Sequence, residues 1–573
     1  MFEEFKTSSY EDWVTKANQE TSRIDSINFP FTFNLDGLSL SAINSENQLS
    51  DHPKTPYKSK HSRPIISVCQ QENAPGTDWQ QLGAEDILLD FADYELHLDQ
   101  DKLQQLKGLG SIGVFYQSDD VGQVADFGGL EKDTYSTRIS FYPSILPHPI
   151  GKGGLRLPDC EGLAEIINQS SGAASVKYLG IRGDEFMNHG INVSQELAIT
   201  LSLITYYWDK LTDLGLGQEL LLDHTEVALG LSGEFYIDIV KIRAARTLLH
   251  SLIGAFEISQ IDVKEIKIRA VSGLLNKTLY DPDENLLRIT TEALAATLGG
   301  AEIITLRTHD LHYQDTSDFG RRMAANVQNL IRYESHLHRV VNPVDGSYFL
   351  EDATNQLVDS AWRTFLEIEK EGGIESYFNS KGKALVSDGR NQRKQQFLKQ
   401  NKKRVGVTRY VNGEEKIDQS VVNSSFQHFS LTNQWEEIRL KFTQLVSQSI
   451  SHAKIIVPIT GKNSIISARI SFVSDILNSF GVIHQVVNSS KATNERFSDS
   501  DFFIICADDE WYLNQAADFL SSNRIAEEPV FAVGSLSELS RLVENKLLSG
   551  VLGPTSDLNP LLETVQKTTS HET

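Results

Sequence analysis

The residues best typed for chemistry stand in two loops that follow apolar strands. The first, RTHDLHYQD (307–315), sets His309, Asp310 and His312 directly after the strand EIITLR (302–307). His-x-x-His beside a carboxylate is a zinc donor set, in which a third protein ligand completes the site and one position stays open for water. Asp310 or Asp315 could supply that ligand; the alternative is a polar loop of hydrogen-bonded histidines. The second loop, Pro458–Ser464 (PITGKNS), follows the strand Ile455-Ile456-Val457. Gly461-Lys462 after a strand suggests a phosphate loop. That motif needs an earlier glycine where Ile456 stands, and Ser or Thr where Asn463 stands. A tight turn with Ser464 capping the next helix is the better reading.

Other polar stretches read as structure. ESHLHR (334–339) ends the helical run RRMAANVQNLIRYE, and two residues apart on a helix puts the His336 and His338 rings about 200° apart. Both suit the negative end of a helix dipole rather than a metal. GRNQRKQQFLKQNKKR (389–404) is basic, but Phe397 is its one aromatic and the chain carries a formal charge of −24. A nucleic-acid surface is therefore not expected; a solvated helix, or a face docked on an acidic partner, is. NPVDGSYFLE (342–351) contains a turn at Asp345-Gly346.

The elements that must position these residues fall into four segments. At 573 residues the chain exceeds one ordinary core, and 40% hydrophobic with 23% charged residues is a globular composition. Residues 1–62 read as a polar N-terminal arm that needs another surface to order it. Residues 63–375 alternate short apolar strands (64–68, 86–91, 111–116, 177–182, 265–270 and 302–307) with amphipathic helices, which predicts a (β/α)8 TIM-type barrel. In the helix 194–211, Leu197, Leu201, Ile204, Trp208 and Leu211 share one face behind a Ser194 N-cap, and the helix 288–300 stops at Gly299-Gly300. Residues 376–452 read as a linker, with a strand and turn in VGVTRYVNG (405–413) and a helix over 434–450. Residues 453–573 repeat strand and helix on a smaller scale, a flavodoxin-like doubly wound domain. Its helix sets Ile466, Ile470, Val473 and Leu477 on one side and stops at Gly481; strands follow at 482–487, 501–507 and 529–534, with helices near 509–521 and 536–548.

Cys69, Cys160 and Cys506 are far apart, which argues against a disulfide framework and for a reducing cytoplasm. The acidic start MFEEFKTSSYEDW has no apolar core for a signal peptide, and no membrane span is expected.

RRMAANVQNLIRYESHLHRVVNPVDGSYFLED (321–352) resembles the signature of the methylmalonyl-CoA mutase family, where Arg-x-Ala-x-Asn leads through a helix to Pro-x-x-Gly-Ser-Tyr. The resemblance continues in NVSQELAITLSLITYYWDKL (192–211), YIDIVKIRAARTLL (236–249) and RITTEALAATLGGAE (288–302). EDWVTKANQE (11–20) and FTFNLDGLSL (31–40) are similar to the family's N-terminal arm. It implies an acyl-CoA skeleton rearrangement through adenosylcobalamin. The substrate would thread the barrel, and the flavodoxin-like domain would hold the corrinoid through the histidine of Asp-x-His-x-x-Gly.

Here the catalytic features are missing. No histidine lies between His452 and His484, and no carboxylate between 458 and 470. Ser-x-Leu is replaced by ADDEWYL (507–513) and Gly-Gly by VGSL (533–536), while GVLGPTSD (550–557) keeps its form. Gly461, Asn463, Gly534 and Gly553 are thus degenerate corrinoid positions. Arg269, with Ala270 beside it, falls where a catalytic histidine is expected, and no Arg-Gly-x-Tyr run occurs. The resemblance therefore implies the non-catalytic subunit of a heterodimeric isomerase that interconverts methylmalonyl-CoA and succinyl-CoA. This chain would bind no cofactor, no metal and no nucleic acid. Its larger catalytic partner would hold adenosylcobalamin and the acyl-CoA, and the arm would wrap that partner. The alternatives are a divergent barrel enzyme using His309, Asp310 and His312, or an acyl-CoA-sensing regulatory module.

Overall fold

The computed structural model of the chain describes residues 32–36, 38–41, 64–71, 81–90, 111–117, 138–146, 155–169, 176–258, 266–313, 317–399, 402–418, 430–445, 453–458, 461–488, 501–522, 528–554 and 556–571, with isolated positions between. They form two compact units. The first takes Met1–Gly273, Ile289–Arg307 and Arg321–Leu385; the second takes Leu274–Arg288, Thr308–Gly320 and Val386–Thr573.

In the first unit, an antiparallel hairpin joins β1 (Thr32–Leu35) to β2 (Leu38–Ser41). Asp36 turns it at φ +52°, a left-handed conformation that Asp tolerates better than most residues. Leu38 and Leu40 are buried, and the Asp36 carboxylate accepts the Val193 N–H at 2.8 Å. This part of the arm thus finds its surface on the chain's own helices. Most of 11–20 and all of 45–63 lie outside the described residues.

Nine parallel strands follow: β3 (Ile65–Gln71), β4 (Asp86–Asp90), β5 (Ser111–Gln117), β6 (Arg138–Ser144), β7 (Val176–Lys177), β8 (Leu179–Arg182), β9 (Thr225–Leu231), β10 (Lys267–Ser272) and β11 (Ile303–Leu306). Their order is β7-β6-β5-β4-β3-β11-β10-β9-β8. Tyr178 alone separates β7 from β8, so the sheet comes round on itself as a nearly closed barrel. At this seam a Cβ on Gly180 would collide with the Phe141 carbonyl oxygen, so only glycine fits. The six expected strands are present; β6 and β9 were not expected.

Helix Val193–Asp213 buries Leu197, Leu201, Ile204, Trp208 and Leu211, as the spacing requires. Its cap is Asn192, not Ser194. The Asn192 side chain accepts the Gln195 N–H and the Gln195 side chain accepts the Asn192 N–H, a reciprocal box that Ser194, two residues further on and already inside the helix, cannot form. Ser194 instead meets the Ser360 hydroxyl at 2.8 Å. Helix Pro282–Gly299 starts six residues before the expected 288, and Gly300 ends it at φ +87°. Helix Asp318–Tyr333 stops short of the two histidines. His336 is left-handed and His338 lies in a following 3-10 turn, so both succeed the helix rather than end it.

The second unit holds a parallel sheet of β12 (Ala453–Val457), β13 (His484–Asn488), β14 (Phe502–Ile505), β15 (Val530–Val533) and β16 (Gly550–Leu552), in the order β13-β12-β14-β15-β16. Helix Asn463–Ser479 buries Ile466, Val473 and Leu477 and ends before Gly481 at φ +70°. Lys462, not Ser464, is its N-cap residue, because the turn closes two residues earlier than expected. The helix near 509–521 is two helices, Asp509–Asn514 and Ala516–Ser522. Residues 405–413 make a turn rather than a strand: Val405 bridges to Arg409, with Gly406 and Tyr410 both left-handed. Helix Lys383–Leu398 carries most of the basic stretch, and helix Asn433–Leu445 the next amphipathic run; 446–450 lie outside the described residues.

Candidate functional site

The barrel interior is the first place to look for chemistry, and a guanidinium fills it. Arg269 on β10 is fully buried. Its Nη1 lies 2.6 Å from Asp86 Oδ1 and its Nη2 3.1 Å from Asp86 Oδ2, a two-point pair reaching β4. Nε donates to the Tyr142 hydroxyl at 3.0 Å, and Nη1 also reaches Thr305 Oγ1 at 3.0 Å. Ser67, Asp86 and Ser111 are neighbours in the strand register, and both serine hydroxyls donate to the Asp86 carboxylate. Glu226 on β9 completes the layer, accepting from Tyr142 and Arg138. Two cations and two carboxylates are balanced in one plane of the barrel. Burial opposes the Arg269 charge, but Asp86, Tyr142 and Glu226 outweigh it and hold the guanidinium above its ordinary range.

An apolar cluster of Cys69, Leu88, Phe115, Tyr142, Ala228 and Val271 packs with this layer. Burial pushes the Cys69 thiol up to about 12, so it is no thiolate nucleophile. A Cβ on Gly113 would sit 2.8 Å from Leu88 Cδ1 and 3.0 Å from Arg269 Cζ. At that inward position even a methyl has no space. At the carboxyl end of the strands Arg182 pairs with Asp184 at 2.9 Å and lies 3.6 Å from the Phe115 ring centre, while Arg307 pairs with Asp90 at 3.3 Å. Arg182 Nη1 is buried and has no partner among the described residues.

The carboxyl ends of the second sheet carry the loop singled out in the sequence. Gly461 sits at φ +144°, and the Lys462 N–H donates to Asp508 Oδ2 at 2.8 Å. The other oxygen of Asp508 accepts the Trp511 N–H at 3.0 Å. These two backbone donors hold the Asp508 carboxyl below its usual range. The loop thus binds a carboxylate of its own chain. Beside it, the Tyr512 hydroxyl donates to Ile505 O at 2.6 Å and accepts the N–H groups of Ala507 and Val533, each at 3.2 Å. It ties the ends of β14 and β15 together. Gly534 and Gly553 abut: a Cβ on Gly553 would lie 2.8 Å from Gly534 O. Asn463 is exposed at the helix start.

His309, Asp310 and His312 do not converge. His309 Nε2 is 3.9 Å from the exposed Asp283, and its ring meets Phe319 edge-on at 5.7 Å. Asp310 turns to Ser317, accepting from its N–H at 2.8 Å and its hydroxyl at 2.5 Å. His312 is buried and burial pulls it down to about 3, so it is neutral. Among the described residues no three His, Cys, Asp or Glu side chains gather to hold a metal; Asp315, the other candidate ligand, lies outside them. Sequence reasoning also missed Asp86, Tyr142, Glu226 and Asp508; their partners are distant in the chain. Among the described residues no helix is long and apolar enough to cross a membrane.

A parallel barrel and a parallel five-stranded sheet in one chain, each with its ligand-facing end tied by internal side chains, define an α/β protein of barrel-and-sheet type. Residues 162–445, about half of the chain, match the family model described as methylmalonyl-CoA mutase. A methylmalonyl-CoA mutase small subunit of Porphyromonas gingivalis is 33% identical over 199 residues, 35% of this chain and 32% of that one. A small subunit of Streptomyces virginiae is 26% identical over 360 residues, 59% and 58%. A methylmalonyl-CoA mutase of Rhizobium meliloti is 25% identical over 294 residues, 51% and 41%. The matched regions thus span between 32% and 58% of these relatives' own lengths.

Proposed function

We propose that this chain is the non-catalytic small subunit of an adenosylcobalamin-dependent methylmalonyl-CoA mutase. It would stabilise a larger chain that interconverts methylmalonyl-CoA and succinyl-CoA in the cytoplasm. The observation that carries this reading is the Arg269–Asp86 pair inside the barrel, where a threading acyl-CoA would have to pass. Arg269 also stands where the family resemblance expects an imidazole for the thioester carbonyl. The order β13-β12-β14-β15-β16 supports reading residues 453–573 as a degenerate flavodoxin-like corrinoid domain. Its residues do not fit the corrinoid: Asp508 occupies the loop, and the loop and following helix, 458–483, offer cobalt no imidazole. The full-length chain tests this directly. Co-expressed with a larger mutase chain bearing Asp-x-His-x-x-Gly, it should co-purify in equal amounts. Alone and mixed with adenosylcobalamin, it should leave the corrinoid spectrum unshifted. Turnover of methylmalonyl-CoA by the isolated, loaded chain would defeat the reading.

A second reading, acyl-CoA sensing without turnover, draws on Arg182 at the barrel's carboxyl end, whose buried Nη1 has no partner among the described residues. Calorimetric titration with succinyl-CoA separates the two, since a plugged scaffold gives flat heats.

A further inference from the structure

The basic stretch 389–404 holds seven Lys and Arg and no carboxylate, while the chain totals −24; the remainder therefore stands at −31. Such crowding does not serve the helix. Arg390 and Lys394 are four residues apart on Lys383–Leu398, where like charges repel. They follow Val386, which is buried, along the same face, and both are half-buried themselves. No carboxylate forms an ion pair with either among the described residues. Burial lowers both below their ordinary values, with Glu437 acting on Lys394 only at longer range. A partly desolvated cation without a counter-charge is a cost that a partner's anion can offset. The face is also held firmly. Phe397, buried in the same helix, packs against Trp435 at 6.5 Å, and the Arg404 guanidinium lies 5.5 Å from the Phe397 ring centre.

We infer that Arg390, Lys394, Lys399 and Lys403 form a docking face for a carboxylate-rich surface of the larger mutase chain. This rests on the small-subunit reading above. A protein surface is favoured over nucleic acid because Phe397 is buried and offers no stacking platform. A chain at −31 elsewhere also repels an extended polyanion, yet it leaves a local acidic patch free to pair. Carboxylates at ion-pair distance would neutralise the two half-buried cations and steer encounter at long range.

The test uses the full-length chain with a larger Asp-x-His-x-x-Gly mutase chain. Two variants, Arg390→Gln with Lys394→Gln and Lys399→Glu with Lys403→Glu, are compared with the parent by binding affinity across a salt series. The second pair sits at exposed positions, so its folding is not at issue. Each should weaken binding about tenfold or more near 0.1 M salt and flatten the salt dependence. Unchanged affinity and salt slope in both variants would overturn the docking face and leave the small-subunit reading standing. Failure of the parent chain to bind would overturn both. Retention of a single-stranded DNA 20-mer by the parent, lost in both variants, would reassign the face to nucleic acid and overturn the inference.

Discussion

Arg269 on β10 and Asp86 on β4 are joined by two contacts of 2.6 and 3.1 Å inside the barrel, 183 residues apart in the chain. Removing one partner leaves the other as an uncompensated buried charge. Arg269→Ala should therefore cost about 3–5 kcal/mol in chemical denaturation. Replacing both, as Arg269→Met with Asp86→Leu, should recover most of that loss, because a filled apolar interior needs no counter-charge. If the double variant is as unstable as the single one, the pair is holding the barrel rather than occupying it.

Asp508 and Lys462 set the second expectation. The carboxylate closes the 461–463 turn and caps the helix Asp509–Asn514. Asp508→Ala should lose about 1 kcal/mol, typical of a lost cap, and Asp508→Asn less, since it keeps an acceptor. The folded carboxyl titrates below its ordinary value. Its contribution is thus intact above about pH 4 and fades as pH falls through the depressed value. Denaturation midpoints from pH 5 down to pH 3 should show that fade in the parent chain and not in Asp508→Asn.

The parts of this architecture legible in sequence were those governed by local pattern. Runs such as IISV and DILLD show up as strands because apolar residues dominate them, although each gives one member, Ser67 or Asp86, to the polar layer. RISFYPS and TEVALGL, which supply Arg138, Ser140, Tyr142 and Glu226 to the same layer, were not read as strands. The plug itself left no local trace: its members come from seven strands, and nothing in the spacing of Asp86 or Arg269 pairs them. Asn192 was within reach, since Gln195 three residues later is a capping signature that outweighs a bare Ser194. His309 and His312 show the reverse relation between spacing and geometry. Their spacing suits a metal, but the turn sends Asp310 to Ser317 and buries His312.

His312 also carries a pH signature. Unfolded, its imidazole takes a proton near pH 6.5; folded, burial holds it neutral down to about 3. The unfolded state therefore binds more protons across that window, and stability falls as pH drops through it. Between pH 6.5 and 5 the loss attributable to this residue is about 2 kcal/mol. Urea midpoints at pH 7 and pH 5 should separate by a smaller margin in His312→Gln than in the parent. An equal margin would place the acid sensitivity elsewhere, with His224, which burial lowers to about 4, next to be tested.

The Asp36 carboxylate ties the arm to the barrel unit by accepting the Val193 N–H at the start of helix Val193–Asp213. That position combines a free helical N–H with the positive end of the dipole, so the charge is well placed. Asp36→Ala removes both the acceptor and a residue tolerant of φ +52°. The hairpin should then open more often, while Leu197, Leu201 and Trp208 stay packed in the helix beneath. Limited proteolysis should cut the Asp36→Ala chain faster at the hairpin, with a loss of about 1 kcal/mol or less in global denaturation. Asp36→Asn, which keeps the left-handed turn and a neutral acceptor, should fall between. Identical cleavage rates in all three chains would mean that Leu38 and Leu40 hold the hairpin without the carboxylate. The arm's order would then be a matter of apolar burial alone.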